Sequence, residues 1–236
     1  MISTIQQKKN GTAVLFIAMF LAISWLCFKS ITTVLASLNF YGAKNYIDEW
    51  ERQRKTPNAV QFHEAKQYAI NAVELHPSFA LYTDTLSTVL QWQALNNKDF
   101  EETIVLLDEA ENLNLQSTLN RPAWPVTWAN LAYIKWLKGE IDDSFANYLN
   151  NASLLGPNNP DVHKAVAQIG LSMAKTDVRI FLQHKGVISK HVTQGLSHPH
   201  SRKAIKEIIL STGTRAMVDQ WVKTLPKNKF VDTNRT

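Results

Sequence analysis

Trp124 to Pro157 reads WPVTWANLAYIKWLKGEIDDSFANYLNNASLLGP, and this stretch decides the fold class. Its large and small apolar residues recur at helical intervals on either side of Gly139, and it closes on Gly156-Pro157. The pattern is that of two helices folded back on one another. A bulky side chain fills the groove between antiparallel helices, alanine permits close approach, and proline keeps the second helix from running on. Asp142 and Asp143 stand where the second helix opens, and carboxylates favour that positive end of the helix dipole. An acid/base role for the two aspartates is therefore the weaker reading.

Trp128, Leu131 and Gly139 lie at the spacing of the first helix and turn of a tetratricopeptide repeat. Tyr148, Ala152 and Pro157 match its second helix and exit once one extra residue is allowed. Earlier segments echo the unit: Ala65, Ala72 and Pro77 have the second-helix spacing, and Ala110 takes the small position after Phe100. Ala72, Ala110 and Ala152 are 38 and 42 residues apart, against a usual period of about 34. The units are thus degenerate, with an insertion before Arg121, and number two to three helix pairs.

The rest of the chain is also read as helix after helix, without a run of β-branched alternation. Ile31, Val34, Leu38, Tyr41, Ile47 and Trp50 form an apolar stripe on a helix ending near Pro57. Phe62, Ala65, Ala69, Ala72 and Val73 form the next, closed by His76-Pro77. Phe100, Ile104, Leu107 and Ala110 follow, with Asp99 as N-cap. Asn114 to Asn120 reads as a polar loop leading to Arg121-Pro122-Ala123-Trp124-Pro125, a rigid approach to a helix. A helix is expected from Pro160-Asp161 to about Ala174, then three more over 177–191, 201–211 and 214–225.

The amino terminus is of another kind. Thr12 to Phe28, TAVLFIAMFLAISWLCF, carries no charge. At about 1.5 Å per residue it spans roughly 25 Å, a little short of a bilayer core of about 30 Å. The apolar run resumes after Lys29, whose side chain can snorkel. A cleaved signal peptide is the rival reading, with Lys8 and Lys9 as its basic start and Val34-Leu35-Ala36 as a small-x-small site. The length of the run, and Lys29 between it and that site, favour an uncleaved anchor. Lys8 and Lys9 place the N-terminus in the cytoplasm. The domain from about residue 40 is then periplasmic in a Gram-negative host.

The expected architecture is therefore all-α, an N-terminal transmembrane helix followed by a degenerate TPR-like helical-repeat domain. Its divisions are a cytoplasmic N-terminus (1–11), the transmembrane helix (12–30), a juxtamembrane helix (31–57), TPR-like repeats (58–175), C-terminal basic helices (176–225) and a flexible tail (226–236).

Composition narrows the chemistry. The single cysteine, Cys27, sits in the apolar run and leaves no internal disulfide or multi-thiolate zinc site. The net charge of +5 conceals an asymmetry: residues 40–159 carry 9 Lys+Arg against 15 Asp+Glu, and residues 160–236 carry 13 against 5. The basic third reads first as a solvated face and second as a surface for an anionic partner, such as an acidic glycan. No phosphate-binding glycine loop, nucleophile elbow or paired metal-histidine motif is present. His198-Pro199-His200 reads as a surface turn. No catalytic residue, cofactor, metal or nucleic-acid partner is expected.

The aromatic residues are more informative. Trp128 fits the packing position of the repeat, while Trp124 and Trp136 are freer to stack on a sugar or a partner helix. Arg121, before Pro122, suits a carbonyl cap or an anion.

At these residues the sequence resembles the VpsP family of polysaccharide-biosynthesis proteins. The match lies in Arg121-Pro122-Ala123-Trp124-Pro125, Trp128, Leu131-Ala132 and Lys135, then Leu155-Gly156-Pro157, Pro160, Val162 and Gly170-Leu171. It spans residues 121–171. Where the pattern has an aromatic-acidic pair between the two later prolines, this chain has Asn158-Asn159. The resemblance implies a non-enzymatic inner-membrane accessory factor of exopolysaccharide or capsule export. Its partners would be envelope polysaccharide-synthesis or export proteins, met through Arg121, Trp124, Trp128 and Trp136. Two other readings stay open: a glycan-binding module using exposed tryptophans, and a generic periplasmic assembly factor with an anchored repeat domain.

Overall fold

The computed structural model describes residues 2–53 and 56–223, with side chains from residue 15 onward. All of its regular structure is helical, in ten helices among the described residues: α1 (Ile2–Gln53), α2 (Ala59–Leu75), α3 (Ala80–Asn96), α4 (Phe100–Asn120), α5 (Pro125–Leu137), α6 (Asp143–Leu155), α7 (Pro160–Thr176), α8 (Val178–Ser197), α9 (Pro199–Thr212) and α10 (Arg215–Lys223). The chain forms two compact units, Met1–Val89 and Leu90–Thr236, divided within α3. The tail expected to be flexible, 226–236, lies outside the described residues.

In the first unit, α1 is one unbroken helix of 52 residues. The anchor and the juxtamembrane segment, expected as separate divisions, are consecutive turns of it. The helix is long and apolar enough to cross a membrane, with a mean hydropathy of 1.9 in its apolar window. Beyond Lys29 its two faces part. Ala36, Phe40, Ala43, Ile47 and Trp50 are buried, whereas Ile31, Val34, Leu35, Leu38 and Tyr41 are exposed. At about 100° per residue the two sets fall on opposite sides of the helix. The single stripe expected from Ile31 to Trp50 is therefore two stripes.

α2 returns antiparallel along the buried face. The rings of Trp50 and Phe62 lie 5.1 Å apart, and Asn71 Nδ2 donates to Asn39 Oδ1 at 3.3 Å. Ala36, Phe40 and Ala72 share a cluster with Tyr82. Ala65, Ala69 and Ala72 face α1 with no bulk beyond a methyl, so the helices close on one another. Asn58 and Gln61 complete a capping box at the start of α2.

The second unit stacks hairpins. α5 pairs with α6 and α7 with α8, while α5, α7 and α9 lie side by side. Gly139 (φ 73°) makes the α5–α6 turn in the left-handed region. Asp99, Asp142, Asn159 and Asp177 cap α4, α6, α7 and α8, each accepting from backbone N–H groups of the first turn. Phe145, Leu149 and Ala152 join Val162, Val166, Ile188, Val192 and Ile205 in the main core. A smaller cluster sets Leu90 and Ala94 against Leu106, Leu107, Ala110 and Ile134.

Two expectations fail in this unit. Asn114 to Asn120 is the end of α4, with Asn114 and Ser117 fully buried. Packing of that face overrides the weak helix propensity of its Asn, Ser and Thr residues. The helix expected to stop at His191 continues to Ser197, because His191, Val192, Gly195 and Leu196 are all buried.

Candidate functional site

Arg121, Trp124 and Trp128 meet at the corner between α4 and α5. Arg121 ends α4, and its backbone N–H donates to the Ser117 carbonyl. Trp124 stands at the N-cap of α5 with no side-chain cap, and Pro125 follows at the first helical position. The Arg121 guanidinium lies 4.4 Å from the Trp124 ring centroid, a cation–π contact. Trp124 is 40% exposed, whereas Arg121 is half-buried with its Nε closed off from solvent. Trp128 Nε1 donates to the Pro122 carbonyl at 2.7 Å. Its half-buried ring rests 5.9 Å from that of Tyr148 on α6. One indole thus fixes both the Arg-Pro-Ala-Trp-Pro turn and the α5–α6 hairpin.

The two sequence blocks of the family resemblance touch here. A Cβ on Gly156 would come within 2.6 Å of Pro125 Cβ, so only glycine lets the end of α6 reach the start of α5. Trp136 does not belong to the corner. It lies two turns further along α5, half-buried against the main core and 5.5 Å from the Tyr133 ring. Its side chain serves packing, and it offers no free platform comparable to Trp124.

The C-terminal end of α5 carries a charge cluster that the sequence did not disclose. Lys138 Nζ lies 2.6 Å from Asp108, 2.9 Å from Glu111 and 3.1 Å from Glu140. Lys135 pairs with Glu140 and, at 2.8 Å, with Asp142. Burial alone would lower the Lys138 pKa, but hydrogen bonds to Asp108, Glu111 and Glu140 outweigh it and the net shift is upward. The Lys135 ammonium holds Asp142 below the ordinary carboxylate range, helped by the Phe145 N–H. Asp142 is thus an N-cap tied to a lysine, not a free base. The cluster links α4, α5 and the α5–α6 turn.

A second polar group is buried in the core. His163 Nδ1 and His191 Nδ1 are 2.8 Å apart, and His191 Nε2 is 2.9 Å from Ser153 Oγ. Burial holds both rings neutral, lowering their pKa values to about 4. Nothing in the linear order of residues announces this pairing, since α6, α7 and α8 each supply one member. His198, in the predicted surface turn, instead caps α9 by accepting from the His200 N–H. Its ring lies 6.4 Å from that of His163. Among the described residues no three His, Cys, Asp or Glu side chains converge as a metal site.

No family model matches this chain, and no curated protein matches it either.

Proposed function

We propose that the protein is a membrane-anchored accessory or scaffold protein of exopolysaccharide (capsule-type) biosynthesis and export, working by protein–protein contact through its stacked helical hairpins. The observation that carries this reading is the continuity of α1. The apolar segment passes without a break into the helix that buries Ala36, Phe40 and Trp50 against α2. Ala36, the small residue of the alternative cleavage site, is 0% exposed in that packing. Removing residues up to it would strip the first hairpin of part of its core, so the helix serves better as a retained anchor. An anchor held this way keeps the chain at the membrane, where high effective concentration lets modest contacts suffice.

The Arg121–Trp124 corner, where Trp124 is exposed, is the docking point in this reading. A rigid aromatic and an arginine on a braced turn have the composition of an interface centre. The resemblance over residues 121–171 supplies the partner class, namely a polymerase, chain-length regulator or export component of the envelope. The bacterial inner membrane is what the resemblance implies, and in a Gram-negative host Lys8 and Lys9 favour a periplasmic domain. In this reading the helical hairpins over residues 58–175 are TPR-like, and no catalytic step is included.

A photo-crosslinking residue at position 124, introduced in the host and activated in intact cells, tests the proposal. Adducts with an integral-membrane or export component of the polysaccharide machinery are expected, and Arg121→Glu should reduce them. Adducts confined to unrelated envelope proteins, or unchanged polymer output when the chain is deleted, would sink it. The exposure of Trp124 also favours a second reading, in which that ring alone stacks on a sugar; Trp136 no longer supports it.

A further inference from the structure

A cleft of about 740 Å³ opens in the second unit, walled by α8 with contributions from α7, α9 and α10. It falls within the range of about 300–1,000 Å³ usual for small-ligand sites. Its wall sets polar groups into a mainly apolar surface and is not acidic: the described lining residues include one ammonium, Lys190, and no carboxylate. Hydroxyls, amides and imidazoles supply most of the rest, and Trp221 adds one indole. The half-buried Trp221 is steadied by Phe181, whose ring is stacked against it at 6.2 Å.

Two features of the wall call for a hydroxylated ligand. Gln194 Oε1 is buried and has no hydrogen-bond partner among the described residues. An unmet acceptor in such a place is costly, and a turn of the half-buried Gln194 side chain would bring its oxygen to a donor hydroxyl in the cleft. His163 lines the cleft while its Nδ1 is engaged by His191, which is backed in turn by Ser153. Two neutral proton arrangements satisfy this chain. When His191 donates to His163, the second ring nitrogen of His163 carries hydrogen; when His163 donates, that nitrogen accepts. A sugar hydroxyl can meet either form.

A phosphate cradle is a poorer match. The first N–H groups of α9, whose Pro199 lines the cleft, are already taken by His198: His200 N–H donates to its Nδ1 at 3.2 Å and Ser201 N–H to its carbonyl at 3.3 Å. Asn159 likewise occupies the start of α7. A single cation without free helix N–H groups suits one carboxylate.

We propose that this cleft binds a carboxylate-bearing sugar, with Lys190 pairing the carboxylate, Gln194 and His163 taking hydroxyls, and Trp221 presenting an apolar ring to the sugar face. The site shares no residue with the Arg121–Trp124 corner and does not depend on the docking reading, whose crosslinking test reads a different surface.

Calorimetry on the full-length protein in detergent, with trimers of glucuronate, galacturonate and mannuronate and with neutral maltotriose, decides the matter. At least one uronate trimer should bind, with maltotriose much weaker. Lys190→Gln, at an exposed position, should weaken that binding about tenfold or more, as loss of a charge-assisted bond implies. Gln194→Leu should weaken it several-fold, and Trp124→Ala should leave it unchanged. No heat with any uronate, equal affinity for maltotriose, or binding insensitive to both Lys190→Gln and Gln194→Leu would overturn the assignment.

Discussion

Lys138 keeps only 8% of its side chain exposed and is surrounded by Asp108, Glu111 and Glu140. Replacing it with methionine leaves three carboxylates without their shared cation. Because Asp108 and Glu140 are about half exposed, solvent offsets part of the loss. A destabilisation of about 1–3 kcal/mol is expected in urea unfolding; a change indistinguishable from zero would mean that solvent screening neutralises the cluster. The buried histidines give a pH dependence of definite sign. Their folded pKa values, about 4, lie below the ordinary 6.5, so the unfolded chain binds more protons between those limits. Stability should be fully present above pH 6.5 and decline as pH falls through that window toward 4. Glu140 and Asp142, depressed in the same fold, add a further loss near and below pH 4.5. Unfolding followed from pH 8 to 4 should show the upper decline in the native chain. A variant with His163→Gln and His191→Gln should lose most of it, the remainder belonging to His184, whose pKa burial also lowers; an unchanged profile would rule the pair out. Neither cluster was legible in the sequence. Lys138 and Glu111 are 27 residues apart, and His191 and Ser153 are 38 apart, so only the docking of helices brings them together.

Among the elements, α1 and α8 are the most exacting. The burial of Ala36 in the α1–α2 hairpin predicts that the mature protein keeps its hydrophobic segment. Intact mass of the membrane-extracted protein should include residues before Ser37, and a mature N-terminus at Ser37 would contradict the anchored reading. In α8, a Cβ at Gly195 would sit 2.2 Å from Ile205 Cδ1 and 2.8 Å from His163 Cβ. Gly195→Ala must push α8 away from α7 and α9, and about 1–3 kcal/mol of destabilisation is expected in thermal or urea unfolding; a neutral result would show that Ile205 can turn aside. Periodicity disclosed most helix existence, and Asp99 and Asp142 as caps and Pro160 as a first-turn residue placed three helix starts correctly. It misplaced the ends of α4 and α8, because what holds Ser117 and Leu196 in a helix is the neighbour they pack on, not their own preference. It also merged the two faces of α1, since order along the chain records apolar residues but not which side meets α2.

For the molecule as a whole, the long apolar helix predicts retention in the membrane pellet after an alkaline wash. Deletion of residues 2–30 should release the protein to the supernatant, and release of the undeleted protein would exclude a spanning anchor. The sequence by itself determined the class: an apolar run that, continued past Lys29, is long enough for a bilayer, helical spacing through the remainder, and small residues where helices must approach. Those properties reside in single helices and their solvent, so local periodicity suffices to show them. Only the tertiary structure decided which tryptophan is free, which lysines are enclosed by carboxylates, and that His163, Lys190, Gln194 and Trp221 face one cleft. Such groupings depend on the register and angle of one helix against another, which are settled by the fit of many side chains at once.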